Sequence, residues 1–364
     1  TFIVRSGLLT SVHAFATDPT RGVFVLMLLG IAVSGALLLF AIRAPAMEGG
    51  SGFAPVSREG ALLLNNLLLA TAAGTVLIGT LYPLVLEAIT GEKVSVGPPY
   101  FNSTFVPLML PMLGLMAVGP LLAWRQADAL RAVKQLWLAA IAAAIVVAVA
   151  IWIGGAGVAG VIGLGVAAWL AVGSFYGWVR RWWGPGALRR LVGLPAEVHG
   201  MTLAHIAAAV IVAGITAASV WQGERVQLMK VGQTAQLSGY SWTLDRVYDT
   251  LGPNYEAVRG QMTVRDDDGK TVAVLYPERR FYPDSRQNTT EAAIHTTGLA
   301  DLYAVIGEGS ADEGWAVRLY HNPLVPWMWF GAGLMAFGGL VSASGRVRVR
   351  RTRKQTAGAA EASA

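Results

Sequence analysis

Seven stretches of about twenty predominantly apolar residues, at 22–42, 61–82, 105–124, 135–153, 158–178, 200–221 and 324–343, decide what this chain can fold into. Each is close to the ~20 residues needed to cross ~30 Å of hydrocarbon as a helix. In lipid every backbone N–H and C=O must be satisfied within the span, so these runs predict helices. Composition agrees with that reading: 54% of the residues are hydrophobic and only 14% are charged. The runs at 135–153 and 158–178 are separated by Gly154-Gly155-Ala156-Gly157, which leaves room only for a tight helical hairpin.

The second run carries Asn65 and Asn66 near its start and is expected to end at Tyr82-Pro83, with 84–90 continuing at the membrane surface and Glu87 an interfacial carboxylate. The following loop is crowded with turn formers, and Pro98-Pro99 predicts an extended path. Residues 1–21 mix aliphatic and polar positions too evenly to span and read as an amphipathic segment at the membrane surface.

Lys and Arg in the short loops set the expected orientation. Arg43 and Arg58 follow the first run, Arg125, Arg131 and Lys134 the third, Arg180, Arg181, Arg189 and Arg190 the fifth, and the 346–354 cluster the last. All fall on one side, which is therefore cytoplasmic. The net charge of +6 needs no nucleic acid to explain it, because six of the 28 basic residues crowd into the last nineteen positions as a membrane-flanking tail. Residues 1–21, 83–104 and 222–322 are expected outside, in a periplasm.

Between the last two runs the composition changes. Residues 222–322 hold most of the acidic side chains and short β-type runs at 226–231, 257–264, 271–276, 301–306 and 315–320, with Asp266-Asp267-Asp268-Gly269 as a hairpin turn. The fold class predicted is an all-α integral membrane bundle of about seven transmembrane helices with an inserted extracytoplasmic β-rich domain. Its divisions are 1–21, a six-helix membrane domain 22–221, the β-rich domain 222–322, a final helix 323–343 and a basic cytoplasmic tail 344–364. Tyr282, His295 and Asp301 read as solvated loop positions.

No nucleotide-binding, zinc-protease, serine-hydrolase or calcium-loop motif occurs. There is no cysteine, so the chain has no thiolate metal site and no CxxCH for covalent haem attachment to itself. The side chains of interest are histidines. His205 lies within the 200–221 run, and an imidazole there is either hydrogen-bonded to a neighbouring helix or bound to a ligand. Ala208, Ala209 and Val212, on the same face, are small enough to admit a flat ligand or a second helix. His13 and His205 are expected toward opposite membrane faces and so point to two sites. His199, in a loop beside arginines, His295 in the β-rich domain and His321 at its outer interface read as ordinary structural positions.

The runs RSGLLTSVHAFATDPTRG at 5–22, LYPLVLEAITGEKVSVGPPYFN at 81–102, HGMTLAH at 199–205, and PERRFYP with TTEAAIHTTGLADLY at 277–303 resemble the CcmF family of cytochrome c maturation proteins. The resemblance covers the whole chain but only the C-terminal part of that family, so the sequence reads as a segment of a longer parent chain. A tryptophan-rich WWD segment and two further histidines stand upstream in the family. The resemblance implies a haem lyase, which joins haem to CxxCH thiols of apocytochrome c outside the membrane. It makes His13 one ligand of transient haem at an external site and His205 one axial ligand of a membrane haem b, with quinol as electron source. It implies as partners a haem chaperone, apocytochrome c, thiol-presenting maturation proteins and the upstream part of the parent chain, at the bacterial inner membrane. Two other readings from the residues alone are a membrane transporter or channel and a membrane scaffold for the external domain.

Overall fold

The computed structural model describes residues 19–46, 52–92, 94, 96–284 and 286–361. They fall into two compact units, one of residues 1–115 with 122–129, the other of residues 116–121 with 130–364.

The first unit contains α1 (Pro19–Arg43), α2 (Arg58–Thr90) and most of α3 (Pro98–Val118). Ser57 begins α2 as an N-cap, its Oγ accepting from the Gly60 N–H at 3.0 Å, and Glu59 in the first turn complements the helix dipole. The helix runs through Pro83 to Thr90, so the expected stop at Tyr82-Pro83 is not made. Gly91 ends it instead, with the left-handed φ of 73° that glycine adopts at no steric cost. Pro98 and Pro99 likewise open α3 rather than an extended path; proline fits a first helical turn, where its missing N–H would have no intrahelical partner. Tyr100 donates its phenol O–H to the Thr75 carbonyl, 3.1 Å away, and its ring lies against Gly79, which joins α2 to the start of α3.

The second unit continues with α4 (Ala129–Lys134), α5 (Trp137–Ile153), α6 (Gly157–Trp182), α7 (Ala187–Gly193) and α8 (Ala196–Trp221), followed by ten strands and α9 (Val325–Glu361). Six described helices are long and apolar enough to cross a membrane, namely α1, α2, α3, α6, α8 and the Val325–Gly345 part of α9. The fourth expected span forms α5, which is shorter at 17 residues. The Gly-Gly-Ala-Gly link does make a tight turn between α5 and α6, with Gly154, Gly155 and Gly157 at positive φ. The Trp221 indole N–H reaches the Gly154 carbonyl at 3.3 Å and ties the far end of α8 to this turn.

Helix α8 packs through small residues. A Cβ on Gly200 would come within 2.5 Å of the Ser342 backbone nitrogen, and one on Gly331 of α9 would press on Ile211. On the other side Gly160 and Gly163 of α6 lie under Val220 and Thr216. Such close backbone approach is how helices associate in lipid, where no hydrophobic drive separates helix from solvent.

The strands form a sandwich of antiparallel sheets. One sheet runs in the order β1 (Gly223–Met229), β10 (Gly314–Pro323), β9 (Ala300–Ser310), β8 (Ala293–Thr296). The other runs β2 (Thr234–Leu237), β3 (Tyr240–Leu251), β4 (Glu256–Arg265), β6 (Glu278–Tyr282), β7 (Gln287–Glu291), with β5 (Thr271–Leu275) also on β4. The Asp266–Gly269 turn joins β4 to β5, as its sequence predicts. Between the sheets lie Met229, Trp242, Leu244, Met262, Val264, Leu302 and Leu319, all fully buried. Tyr282, His295 and Asp301 lie in strands rather than loops; Asp301 accepts a hydrogen bond from the Thr296 hydroxyl at 2.7 Å.

A polar knot holds the six-stranded sheet. Glu278, 4% exposed, accepts from Arg280 Nε at 2.7 Å and from Arg259 Nε at 2.5 Å. Arg280 stacks over the Tyr255 ring at 4.3 Å, and Tyr255 packs on Tyr282. The PERRFYP run thus supplies both the buried acid and one of its two guanidinium partners.

Candidate functional site

Of the two histidines expected to carry chemistry, His13 lies outside the described residues. His205 lies in the third turn of α8, half-buried. Three contacts fix α8 against α6: Gly160 with Val220, Gly163 with Thr216, and Trp178 with His199. The two helices are therefore antiparallel, and residues near 174 on α6 stand level with His205.

At that level lies a small cavity of about 10 Å³, room for roughly one water molecule. His205, Met201 and Thr202 line it from α8; Ser174, Trp178 and Arg181 line it from α6; Ala117, Pro120 and Leu121 complete it. The α6 side chains recur at i, i+4 and i+7, the spacing that puts them on one helical face. Three of the polar lining groups have hydrogen-bond partners among the described residues. Thr202 Oγ1 donates back to the Val198 carbonyl at 2.9 Å. The Trp178 indole N–H donates to His199 Nδ1 at 3.1 Å, which orients that imidazole. Arg181 donates to the Pro120 carbonyl at 3.3 Å. The Ser174 hydroxyl is buried and has no hydrogen-bond partner among the described residues.

The His205 ring makes no hydrogen bond to any described residue. The alanine face does not provide the open side, however. Ala208 and Ala209 are 9% and 2% exposed, so the small residues serve helix packing, and the space beside the ring lies toward Met201 and Thr202.

Among the described residues no three His, Asp or Glu side chains gather to hold a metal ion. A haem asks for less, since its porphyrin already supplies four ligands and the protein adds axial ones. The residues present offer such a group one imidazole without a competing hydrogen bond, but the adjoining cavity, lined by the Ser174 and Thr202 hydroxyls, the Trp178 indole and the Arg181 guanidinium, does not accommodate its ring. At about 10 Å³ the space holds roughly one water molecule and does not admit a macrocycle, against ~300–1,000 Å³ for ligand pockets.

Sequence reasoning missed three features here. His199 is helical, in the first turns of α8, and carries the Trp178 bond. Arg181 had been read only for topology, and Ser174 and Trp178 not at all; their shared helical face was the available signal. His321 lies in β10 with Nδ1 buried and unpartnered, its ring 5.9 Å from that of Tyr240.

Comparison with known proteins agrees with the architecture. Residues 220–323, the sandwich, match the family described as CcmF C-terminal beta-sandwich. The chain is 46% identical over 353 residues to the cytochrome c-type biogenesis protein CycK of Rhizobium meliloti, covering 95% of this chain and 52% of that protein. It is 42% identical to CcmF of Pseudomonas aeruginosa, covering 95% and 53%, and 39% identical to CcmF of Escherichia coli, covering 94% and 52%. A solved structure titled Cytochrome c Heme Lyase CcmF superposes with a TM-score of 0.62 at 29% identity, over 79% of this chain and 46% of that one. The chain spans about half the length of the curated relatives it matches. With a membrane bundle, an inserted sandwich, and identity to these relatives along nearly all of its length, the chain is a CcmF-type sequence by similarity to cytochrome c-type biogenesis proteins.

Proposed function

We propose that this chain supplies one axial ligand to each of two haem sites of a cytochrome c haem lyase. His205 binds a haem b within the membrane, and His13 binds transient haem at the external face. The observation that carries the reading is His205 itself, an imidazole in a membrane helix with no hydrogen bond to a described residue. The solved relative's title names the same activity for that protein. Each opposing ligand comes from a histidine outside this sequence.

A haem at His205 supplies one-electron chemistry when bound, with quinol as electron source. The chain's own residues fix the imbalance of charge and geometry around it. His205 offers an imidazole lone pair, and the close-packed α6 and α9 hold α8 and so hold the ring. On the external side His13 positions haem so that its vinyl groups meet the thiols of an apocytochrome CxxCH, which fits a chain with no cysteine of its own. A haem chaperone, apocytochrome c and thiol-presenting proteins are the partners this reaction requires. The basic short loops favour an arrangement with the sandwich outside and the 346–354 cluster in the cytoplasm, at the bacterial inner membrane.

The test is the reduced-minus-oxidised spectrum of the full-length protein. His205→Ala and His205→Gly should lose or weaken the b-type signal, and added imidazole should partly restore it by occupying the vacated axial position. A folded, inserted His205→Ala protein with full haem content and an unaltered spectrum would make this histidine a packing residue only.

A further inference from the structure

We infer that the open end of the six-stranded sheet is a docking groove for an extended, cationic segment of a polypeptide partner, one that carries apolar side chains between its lysines or arginines. Strand pairing sets Asp249, Val258 and Arg279 side by side in one cross-strand row and Leu251, Glu256 and Phe281 in the next. The rows are two residues apart, so all six side chains stand on one face of the sheet. It is the core face, since on β4 the buried Val264, Met262 and Gly260 lead by twos to Val258 and Glu256. The four-stranded sheet covers only part of it. Ile306 of β9 lies over Gly260, and Glu308, two residues on, accepts from Arg279 Nη2 at 2.6 Å, an ion pair that closes the covered part. Beyond that pair Leu251 is 81% exposed and Phe281 39%. The space over them is about 720 Å³, well within the ~300–1,000 Å³ of ligand pockets.

Apolar side chains that continue the core pattern yet stay uncovered mark a contact surface, and its charge decides what covers it. Arg279 is neutralised by Glu308. Asp249 and Glu256 are exposed, line the groove, and make no hydrogen bond or ion pair with a described residue. Two carboxylates are thus left without a counter-charge beside an apolar floor. They repel a phosphate-bearing lipid headgroup, and a second copy meeting this face with the same face would bring like charges together. A lysine or arginine segment complements them. An extended strand places alternate side chains ~7 Å apart on one side, which is the spacing of the two rows, so one side chain can reach the acids while the next lies on Leu251 and Phe281.

The experiment titrates a dye-labelled peptide, the repeat Lys-Ser-Leu-Ser, into full-length protein in phosphatidylcholine nanodiscs and reads fluorescence anisotropy. Lys and Leu then alternate along one side of the extended chain. The native protein should bind this peptide about ten-fold more tightly than versions with Glu for Lys or Ser for Leu. Asp249→Asn combined with Glu256→Gln should weaken binding about ten-fold and remove its salt dependence. Leu251→Ser should weaken it by a similar factor and leave the salt dependence in place. Asp312→Asn with Glu313→Gln, which removes the same charge from the β9–β10 turn, should bind as native. Hydrogen exchange on the native protein decides without any variant: bound peptide should slow the amides of 249–251, 256–258 and 279–281. Equal binding of the three peptides, unchanged affinity in both groove variants, an equal loss in the turn variant, or no added protection of those amides overturns the assignment. So does a native dimer that the groove variants dissociate while peptide affinity stays unchanged, the mark of a second copy in the groove.

Discussion

Replacing Glu278 by Gln keeps the side chain's shape and removes its charge, which isolates what the buried carboxylate does for the sandwich. It is 4% exposed and accepts from both Arg259 and Arg280, whose side chains are 33% and 26% exposed. Breaking a fully buried pair costs ~3–5 kcal/mol. Water reaches both guanidinium groups here, Glu291 stands 3.8 Å from Arg280, and the Gln carbonyl can still accept one bond. The expected loss is therefore about 2 kcal/mol. Hydrogen–deuterium exchange on the full-length protein reads this locally: protected amides of β4 and β6 should exchange about 30-fold faster, while those of α8 hold their native rate. Burial by itself raises a carboxyl, but the hydrogen bonds from Arg280 and Arg259 outweigh it and hold Glu278 below the usual carboxylate range. A depressed acid stabilises fully above its unfolded value, ~4.3, and that stabilisation is lost as pH falls through the folded value. The difference between native protein and Glu278→Gln should thus be constant from pH 7 to 5 and shrink below about 4. An exchange rate within two-fold of native at pH 7 would show the knot to be solvated and energetically neutral.

Gly200→Ala should separate α8 from α9, because the new Cβ meets backbone atoms of α9, at a cost of about 1–3 kcal/mol and with reduced haem content, read by thermal melting and the reduced spectrum. Burial lowers the His321 pKa, so protonation favours the unfolded state and stability is lost as pH falls below ~6.5; His321→Asn should flatten the melting temperature between pH 7 and 5, and a slope equal to native would exclude this group. A cysteine at Ser310 should label only from the periplasmic side of intact cells, and labelling only from the cytoplasm would invert the proposed topology. His13→Ala should lower cytochrome c maturation and leave the membrane haem in place, an assignment that unchanged maturation and unchanged haem capture would remove.

The helices were legible because burial in lipid leaves a long apolar run no other structure. Their ends were less so. Pro83 stays inside α2, which a proline can do in a long helix when the freed carbonyl finds another partner, and Pro98-Pro99 took the start of α3. In the sandwich, β4, β9 and β10 showed themselves because alternate residues enter the core, and β1 and β5 by their short β-type runs, of which Met229 and Leu275 are buried while Val226, Leu228 and Val274 stay exposed. β3 did not, because a register shift between Leu244 and Arg246 breaks its period. Strands β6 to β8 carry charged and hydroxyl side chains such as Gln287–Glu291, whose stability comes from pairing and from the Glu278 knot rather than from apolar burial. For the site, His205 could be singled out from its own span. Its neighbours on α6 could not, because only the helix pairing brings Ser174 and Arg181 to it.

That pairing explains why so unremarkable a sequence as α8 fixes an imbalanced side chain so firmly. One face meets α9 at Gly200, Gly331 and Gly338, and another meets α6 at Thr216 and Val220. Only the third, with Met201, Thr202 and His205, is left to line a cavity. The sandwich is inserted between α8 and α9 and is fastened to the second of them. The Leu324 N–H bonds to the Leu299 carbonyl at 2.7 Å and the Trp327 indole to the Gly298 carbonyl at 2.9 Å. Leu324 adopts a left-handed φ of 56°, which costs a non-glycine residue about 1–2 kcal/mol and persists only where surrounding bonds enforce it. The junction of β10 and α9 is therefore held by two hydrogen bonds and a constrained backbone.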